Sequence, residues 1–215
     1  MTVSLRLTTL GVGAAASPRY RPAGLLIDAG RVRVMMDGGP GAAPAGELAA
    51  WLVTDEQSEL IADIRRLGRR RGLLPRAGSF RRRCLQIERR PVVHTSHPAW
   101  GYRITWGRRT VVWAPEFFRF PRWAAGADLM FAEAAGWDRP IRFAGGVGGH
   151  LDALAVARAA ARQGVRRLVY AHIGRPTIRA IDRGDRPPFG EFARDGQLFV
   201  LRSTAPANPG PRRNE

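Results

Sequence analysis

The chain contains no lysine. All 35 of its basic residues are arginine, set against 18 acidic ones, for a formal charge of +17 over 215 residues. Composition rich in alanine, arginine, glycine and proline marks a GC-rich genome, so the choice of arginine over lysine says little. The net charge still attracts polyanions such as nucleic acid, phosphate esters and acidic membrane surfaces. A single cysteine, Cys84, excludes an internal disulfide framework and a multi-cysteine zinc site, and fits a reducing compartment. No apolar run is long enough to span a bilayer. The opening "MTVSLRLTTLGVGAAASP" has the outline of a signal peptide ending in Ala-x-Ala, but Thr and Gly pairs interrupt its apolar stretch. The expectation is a cytoplasmic protein with no membrane partner.

What is present is ordinary globular composition, 45% hydrophobic and 25% charged, enough for one domain with a sizeable core. That domain is expected over residues 1–203, followed by a polar, Pro-rich, disordered tail at 204–215. Strand-like alternation runs through "SLRLTTLGVG", "AGLLIDAG" and "RVRVMMDGGPG", punctuated by Gly and Pro. "SELIADIRRLGRR" has helical spacing at Leu60, Ile61, Ile64 and Leu67, and "GHLDALAVARAAARQG" reads as a helix ending at Gly164. "GYRITW", "RTVVWAP" and "VRRLVYAHIG" read as strands. Strands come first and helices alternate with strands later, which indicates a mixed α/β domain.

Chemistry concentrates in four histidines, His94, His97, His150 and His172. Each stands beside Gly or Pro or at a strand end, where side chains are presented at a sheet rim. Their common placement favours a shared site without establishing one, since a lone buried His more often only hydrogen-bonds a neighbour.

The order of these motifs resembles the metallo-β-lactamase fold, especially its ribonuclease Z and cyclic-phosphodiesterase-like branch. "LTTLGVGAAASPRYRPAGLLID" resembles the opening strand, glycine turn and returning strand. "RVRVMMDGGPG" resembles the second motif, in which Asp37 would brace the metal loop. "VTDEQSELIADI" falls where the family has Thr-His-x-His-x-Asp-His, "HTSHPAWGYRI" where it has a later His ligand, and "VVWAPEF" where a strand ends in a bridging Asp. "GGHLDALAVARAAARQGVRRLVYAHIG" resembles the closing segment with its proton-donating and ligand histidines. The resemblance covers roughly residues 5–175 and implies an α/β, four-layer αββα sandwich.

Within the loop the chain departs from the pattern. Asp55 and Gln57 stand where the first two histidines belong, Glu59 where the Asp belongs and Leu60 where the last His belongs. Glu116 replaces the bridging Asp, and His172 keeps its place. Neither His94 nor His97 has the family's spacing to Gly101, so the counterpart is one or the other. The resemblance therefore implies at most one divalent ion (zinc, manganese or iron), held by Glu59, Glu116 and His172 with His94 or His97, or no ion at all. His150 would be the general acid, and its approach "AGGVGGH" suggests a phosphate cradle at a helix start.

Two readings remain open at this stage. One is a weak or single-metal phosphodiesterase-like hydrolase acting on a small phosphoester or RNA. The other is a catalytically inactive homologue that binds a polyanion or serves as a scaffold. The arginine tract between residues 65 and 90, including Arg69, Arg70, Arg71, Arg81, Arg82 and Arg83, is the candidate polyanion contact. Phe117, Phe118, Phe120 and Trp123 offer a partner face or pocket wall. The sequence fixes no oligomeric state, and a homodimer is compatible with it.

Overall fold

The computed structural model describes residues 4–202. Its strands are β1 (Ser4–Gly11), β2 (Gly24–Ala29), β3 (Val32–Asp37), β4 (Ala50–Leu52), β5 (Phe80–Arg82), β6 (Leu85–Val92), β7 (Ala99–Trp106), β8 (Arg109–Ala114), β9 (Leu129–Ala134), β10 (Ile141–Arg142), β11 (Gly149–His150), β12 (Leu168–Ile173), β13 (Glu191–Phe192) and β14 (Gln197–Arg202). The α-helices are α1 (Ile61–Arg69), α2 (Ala153–Arg162) and α3 (Arg175–Asp182). A five-stranded sheet runs β14-β1-β2-β3-β4, and a seven-stranded sheet runs β13-β12-β9-β8-β7-β6-β5.

The period-two alternation of β2 and β3 decides how the layers stack. Leu25, Ile27, Val34 and Met36 enter the main core with Tyr102, Ile104, Trp113 and Phe131 of the larger sheet. Leu26 and Met35 face the other way and join Trp51, Val53 and Ile64 of α1 in a second cluster. The larger sheet is covered in turn by α2, whose Ala153, Val156, Ala157 and Ala160 are buried. Because β9 and β12 pair in parallel at the centre and are covered on both faces, all six residues of each are buried. At roughly 25 cal/mol per Å² of apolar surface, this continuous core is the main stabilising term.

α2 begins one turn later than the approach to His150 suggests. Asp152 is its N-cap and accepts from the Ala155 N–H at 2.8 Å, so His150 lies on β11 and not at the helix start. The glycines before it serve close packing. Gly148 and Gly149 sit at φ 132° and 148°, where a Cβ would run into the carbonyls of His94 and Ile141. They let the 143–149 segment lie against the chain at His94. The expected phosphate cradle at a helix start is thereby corrected.

Several elements went unread in the sequence, among them α3, the β5–β6 hairpin within the arginine tract, and β14, which pairs with β1. The aromatic run is packing: Phe117 is fully buried, and Phe120 and Trp123 pack on the main core. No helix among the described residues is long and apolar enough to cross a membrane. The expected tail at 204–215 lies outside the described residues.

Candidate active site

The ends of β3, β8, β9, β11 and β12 converge on one rim of the sandwich. A cavity of about 580 Å³ opens there, lined among others by Asp55, Glu59, His94, His97, Glu116, His150 and His172. All four histidines therefore meet at one cavity.

Glu133 organises two of them, His150 and His172, and the sequence reading passed over it. It is completely buried in β9. Its Oε2 accepts from the Phe117 N–H at 3.1 Å and from His150 Nδ1 at 2.9 Å. Its Oε1 accepts from the Ala135 N–H at 2.9 Å and from His172 Nδ1 at 3.1 Å. Burial alone would raise the Glu133 pKa, but His150 and His172 outweigh it and lower it to about 2.

His94 is anchored in the same way, with Nδ1 on the Gly149 carbonyl at 3.0 Å. Its Nε2 lies 2.8 Å from Glu116 Oε2, and His172 Nε2 lies 3.2 Å from Glu116 Oε1. Each of these rings thus faces an oxygen acceptor at both nitrogens, a setting that favours the doubly protonated form while no ion is bound. Burial alone would lower the His172 pKa, yet Glu116 and Glu133 raise it to about 9. His94 is also raised, its burial outweighed by Glu116. The carboxyl of Glu116 is held well below the usual range, because His172 and His94 outweigh its desolvation.

Backbone geometry aims these groups. His172 has φ 65°, and the β12–β9 register shifts between Tyr170 and Ile173. The irregularity re-aims the side chain out of the normal pleat. Asp37, at φ 50°, accepts from the Thr54 N–H at 2.7 Å, the Thr54 hydroxyl at 3.0 Å and the Trp113 indole at 2.6 Å. Burial pushes its pKa up to about 7. It ties the start of the 54–60 loop to β8.

The loop residues scatter. Asp55 is buried and bonded by His97 Nε2 at 2.9 and 3.0 Å and by the Gln57 N–H at 2.7 Å. Gln57 and Glu59 are exposed, and Leu60 packs on the second apolar cluster. The structure therefore separates the two neighbouring histidines: His94 meets Glu116, whereas His97 meets Asp55. None of Arg69, Arg70, Arg71, Arg81, Arg82 and Arg83 lines the cavity. All six are exposed.

A crystal structure of the metallo-β-lactamase fold protein YhfI from Bacillus subtilis matches this chain with a TM-score of 0.71, at 18% identity over 92% of this chain and 100% of that one. The chain has the metallo-β-lactamase fold. Within that fold it is also similar to a diphosphatase from the PhnP family (TM-score 0.71, 16% identity, 94% of this chain and 99% of that one). Human tRNase Z, short form, matches at a TM-score of 0.65 and 15% identity, over 90% of this chain and 98% of that one. No family model and no curated protein matches the sequence.

Metallo-β-lactamase folds commonly hold divalent ions, so the donor set can be tested for one. Glu133, His150 and His172 offer ligand atoms within 4.8 Å of one another. Each oxygen of Glu133 already accepts two hydrogen bonds, one from the backbone, so Glu133 orients imidazoles better than it binds an ion. His94 Nε2, His172 Nε2 and Glu116 make a two-imidazole, one-carboxylate set, a known catalytic ligand combination. Beside Glu116 and His172 is a small cavity of about 40 Å³, lined also by Asp37, Asp55, Glu59 and Leu60. Glu116 reaches both Nε2 atoms, at 2.8 and 3.2 Å, so these residues could hold at most one ion between them. A second has no donors, because Asp55 is committed to His97 and Leu60 is apolar.

Proposed function

We propose that the protein is a metal-dependent hydrolase of small phosphoesters that uses one divalent ion per chain. The observation that carries this is the common anchoring of three imidazoles. His94, His150 and His172 each hold a backbone carbonyl or Glu133 through Nδ1, the outer-shell arrangement that fixes tautomer and aim in metal-bound histidines. His94, Glu116 and His172 would hold the ion, with Glu59 on the adjoining cavity. The ion would act as a Lewis acid on the scissile group and activate water.

The chain's own residues supply the rest. Glu133 orients His150, whose other nitrogen donates a proton to the departing oxygen. Asp37 fixes Thr54, and with it the loop that forms one wall. The phosphoester chemistry is supported by similarity to a diphosphatase and a tRNase Z. A small substrate suits the cavity better than a polynucleotide, because Arg175 is the one arginine among its lining residues.

Metal content by plasma mass spectrometry tests the reading, on untagged protein dialysed against trace zinc, manganese and iron. About one ion per chain is expected, lost in Glu116→Ala and His172→Ala; near-zero retention by the native chain sinks it. His150→Ala should lower kcat by about 100-fold on diphenyl phosphate. It should do much less on bis(p-nitrophenyl) phosphate, whose leaving group departs without a proton.

A second reading, polyanion binding, is favoured by the exposed arginines of α1's end and the β5–β6 hairpin. Among the described residues Arg69, Arg70, Arg81, Arg82 and Arg83 form no ion pair, while Arg71 is tied to the carbonyls of Gly46 and Pro44. Fluorescence anisotropy with single-stranded RNA should give affinity that falls steeply with salt, with a shallower slope in a triple Arg81/Arg82/Arg83→Ser variant. An unchanged slope excludes the hairpin.

A further inference from the structure

We propose that Asp55 and His97 form a second carboxylate–imidazole pair on the active cavity, with His97 Nδ1 acting as the base that takes the proton of the attacking water. The proposal rests on the hydrolase reading and adds to it a catalytic residue outside the ligand set.

Four observations carry it. His97 Nε2 faces both oxygens of Asp55, at 2.9 and 3.0 Å. Asp55 is buried and further fixed by the Gln57 N–H at 2.7 Å, so a well-positioned acceptor draws the His97 proton to Nε2. That leaves Nδ1 as the lone-pair nitrogen, and it has no partner among the described residues. Finally, His97 is only partly buried, and both it and Asp55 line the same 580 Å³ cavity as His150.

The pair spans 42 residues of sequence, joining the 54–60 loop to the turn before β7. Thr95 holds that turn by donating its hydroxyl to the His97 carbonyl at 2.9 Å. The same logic operates where a buried carboxylate fixes the tautomer of a catalytic histidine. Here the pair stands on the loop that would otherwise supply imidazoles to a metal, and it gives the cavity a base independent of those ligands.

The step balances with one water and no other reactant. The water oxygen bonds to phosphorus while one of its protons passes to His97 Nδ1. The bond from phosphorus to the leaving oxygen breaks, its electron pair goes to that oxygen, and His150 protonates it. His97 then returns a proton through solvent and His150 regains one, which restores both rings.

The test uses the full chain supplied with zinc or manganese, on bis(p-nitrophenyl) phosphate and diphenyl phosphate. His97→Ala should lower kcat by about 100-fold on both diesters, since a base acting on water is indifferent to the leaving group, with KM little changed. Imidazole added to the assay should restore much of that loss. Nitrogen-15 NMR should find the native His97 ring protonated at Nε2 and bare at Nδ1, with the tautomer disturbed in Asp55→Asn. Native kcat in His97→Ala, a loss that imidazole does not relieve, or a proton on Nδ1 each overturns the pair alone. A native chain that cleaves neither diester removes the hydrolase reading and the catalytic role together.

Discussion

Replacing Glu133 with alanine is expected to lower the unfolding free energy by about 3–5 kcal/mol, the cost of removing one partner from a buried charge cluster. Four donors lose their acceptor at once: the N–H groups of Phe117 and Ala135 and the Nδ1 atoms of His150 and His172. His172 would keep only Glu116 for its charge. Glutamine is a poorer substitute than its shape suggests, because its amide end offers hydrogens where two more acceptor positions are needed. Urea unfolding followed by fluorescence and circular dichroism measures the effect. A loss below about 1 kcal/mol, the worth of one ordinary hydrogen bond, would falsify the view that Glu133 organises the site.

The second large effect is an alkaline loss of stability in chelator-treated protein. His172 has a folded pKa raised to about 9 from 6.5. Its contribution is therefore fully present below about pH 6.5 and disappears as pH rises through 9. The shift corresponds to about 3 kcal/mol at 1.36 kcal/mol per unit. His94, raised as well, adds in the same direction. Asp37, an acid raised to about 7 from 3.8, costs stability between those values, where only the unfolded chain ionises, and the loss levels off as pH passes 7. Between pH 7.5 and 9.5 the imidazoles thus carry the slope. Glu133, lowered to about 2, contributes above its unfolded value and is lost only as pH falls through 2. Melting curves in EDTA should slope downward over the alkaline range in the native chain and flatten in His172→Gln. A native chain equally stable at pH 7.5 and 9.5 would contradict the doubly protonated state of His172.

Much of the fold was legible because its signals are local. Alternation at β2 and β3 and the glycine breaks around them follow from side-chain period and turn chemistry. α1 and α2 follow from apolar spacing, and the resemblance supplied the order in which these pieces meet. α3 is eight residues long and β13 only two, too short for a periodic signal. The alternation of "QLFVLR" in β14 was readable, but it stands against a polar, proline-rich end.

At the site, His94, Glu116, His150 and His172 were named from sequence and are brought together. The contacts between them were not, because each joins residues far apart in the chain. Glu133 did leave a signal. It is the one charged residue in "LMFAEA", and an acid in a strand buried on both faces must have partners there. The Asp55–His97 pair left none, since nothing in either segment specifies a contact across 42 positions.

Leu60 has a consequence for what the loop tolerates. Its side chain packs with Ile64 and Trp51 in the apolar cluster under α1 and would touch a Cβ placed on Gly39. A histidine there would give up those apolar contacts, and one at position 55 would strip His97 of its carboxylate. Each substitution taken singly thus removes a contact that the loop makes now. The loop is therefore buffered against such changes: packing at position 60 and the carboxylate–imidazole pair at position 55 each hold it in its present form.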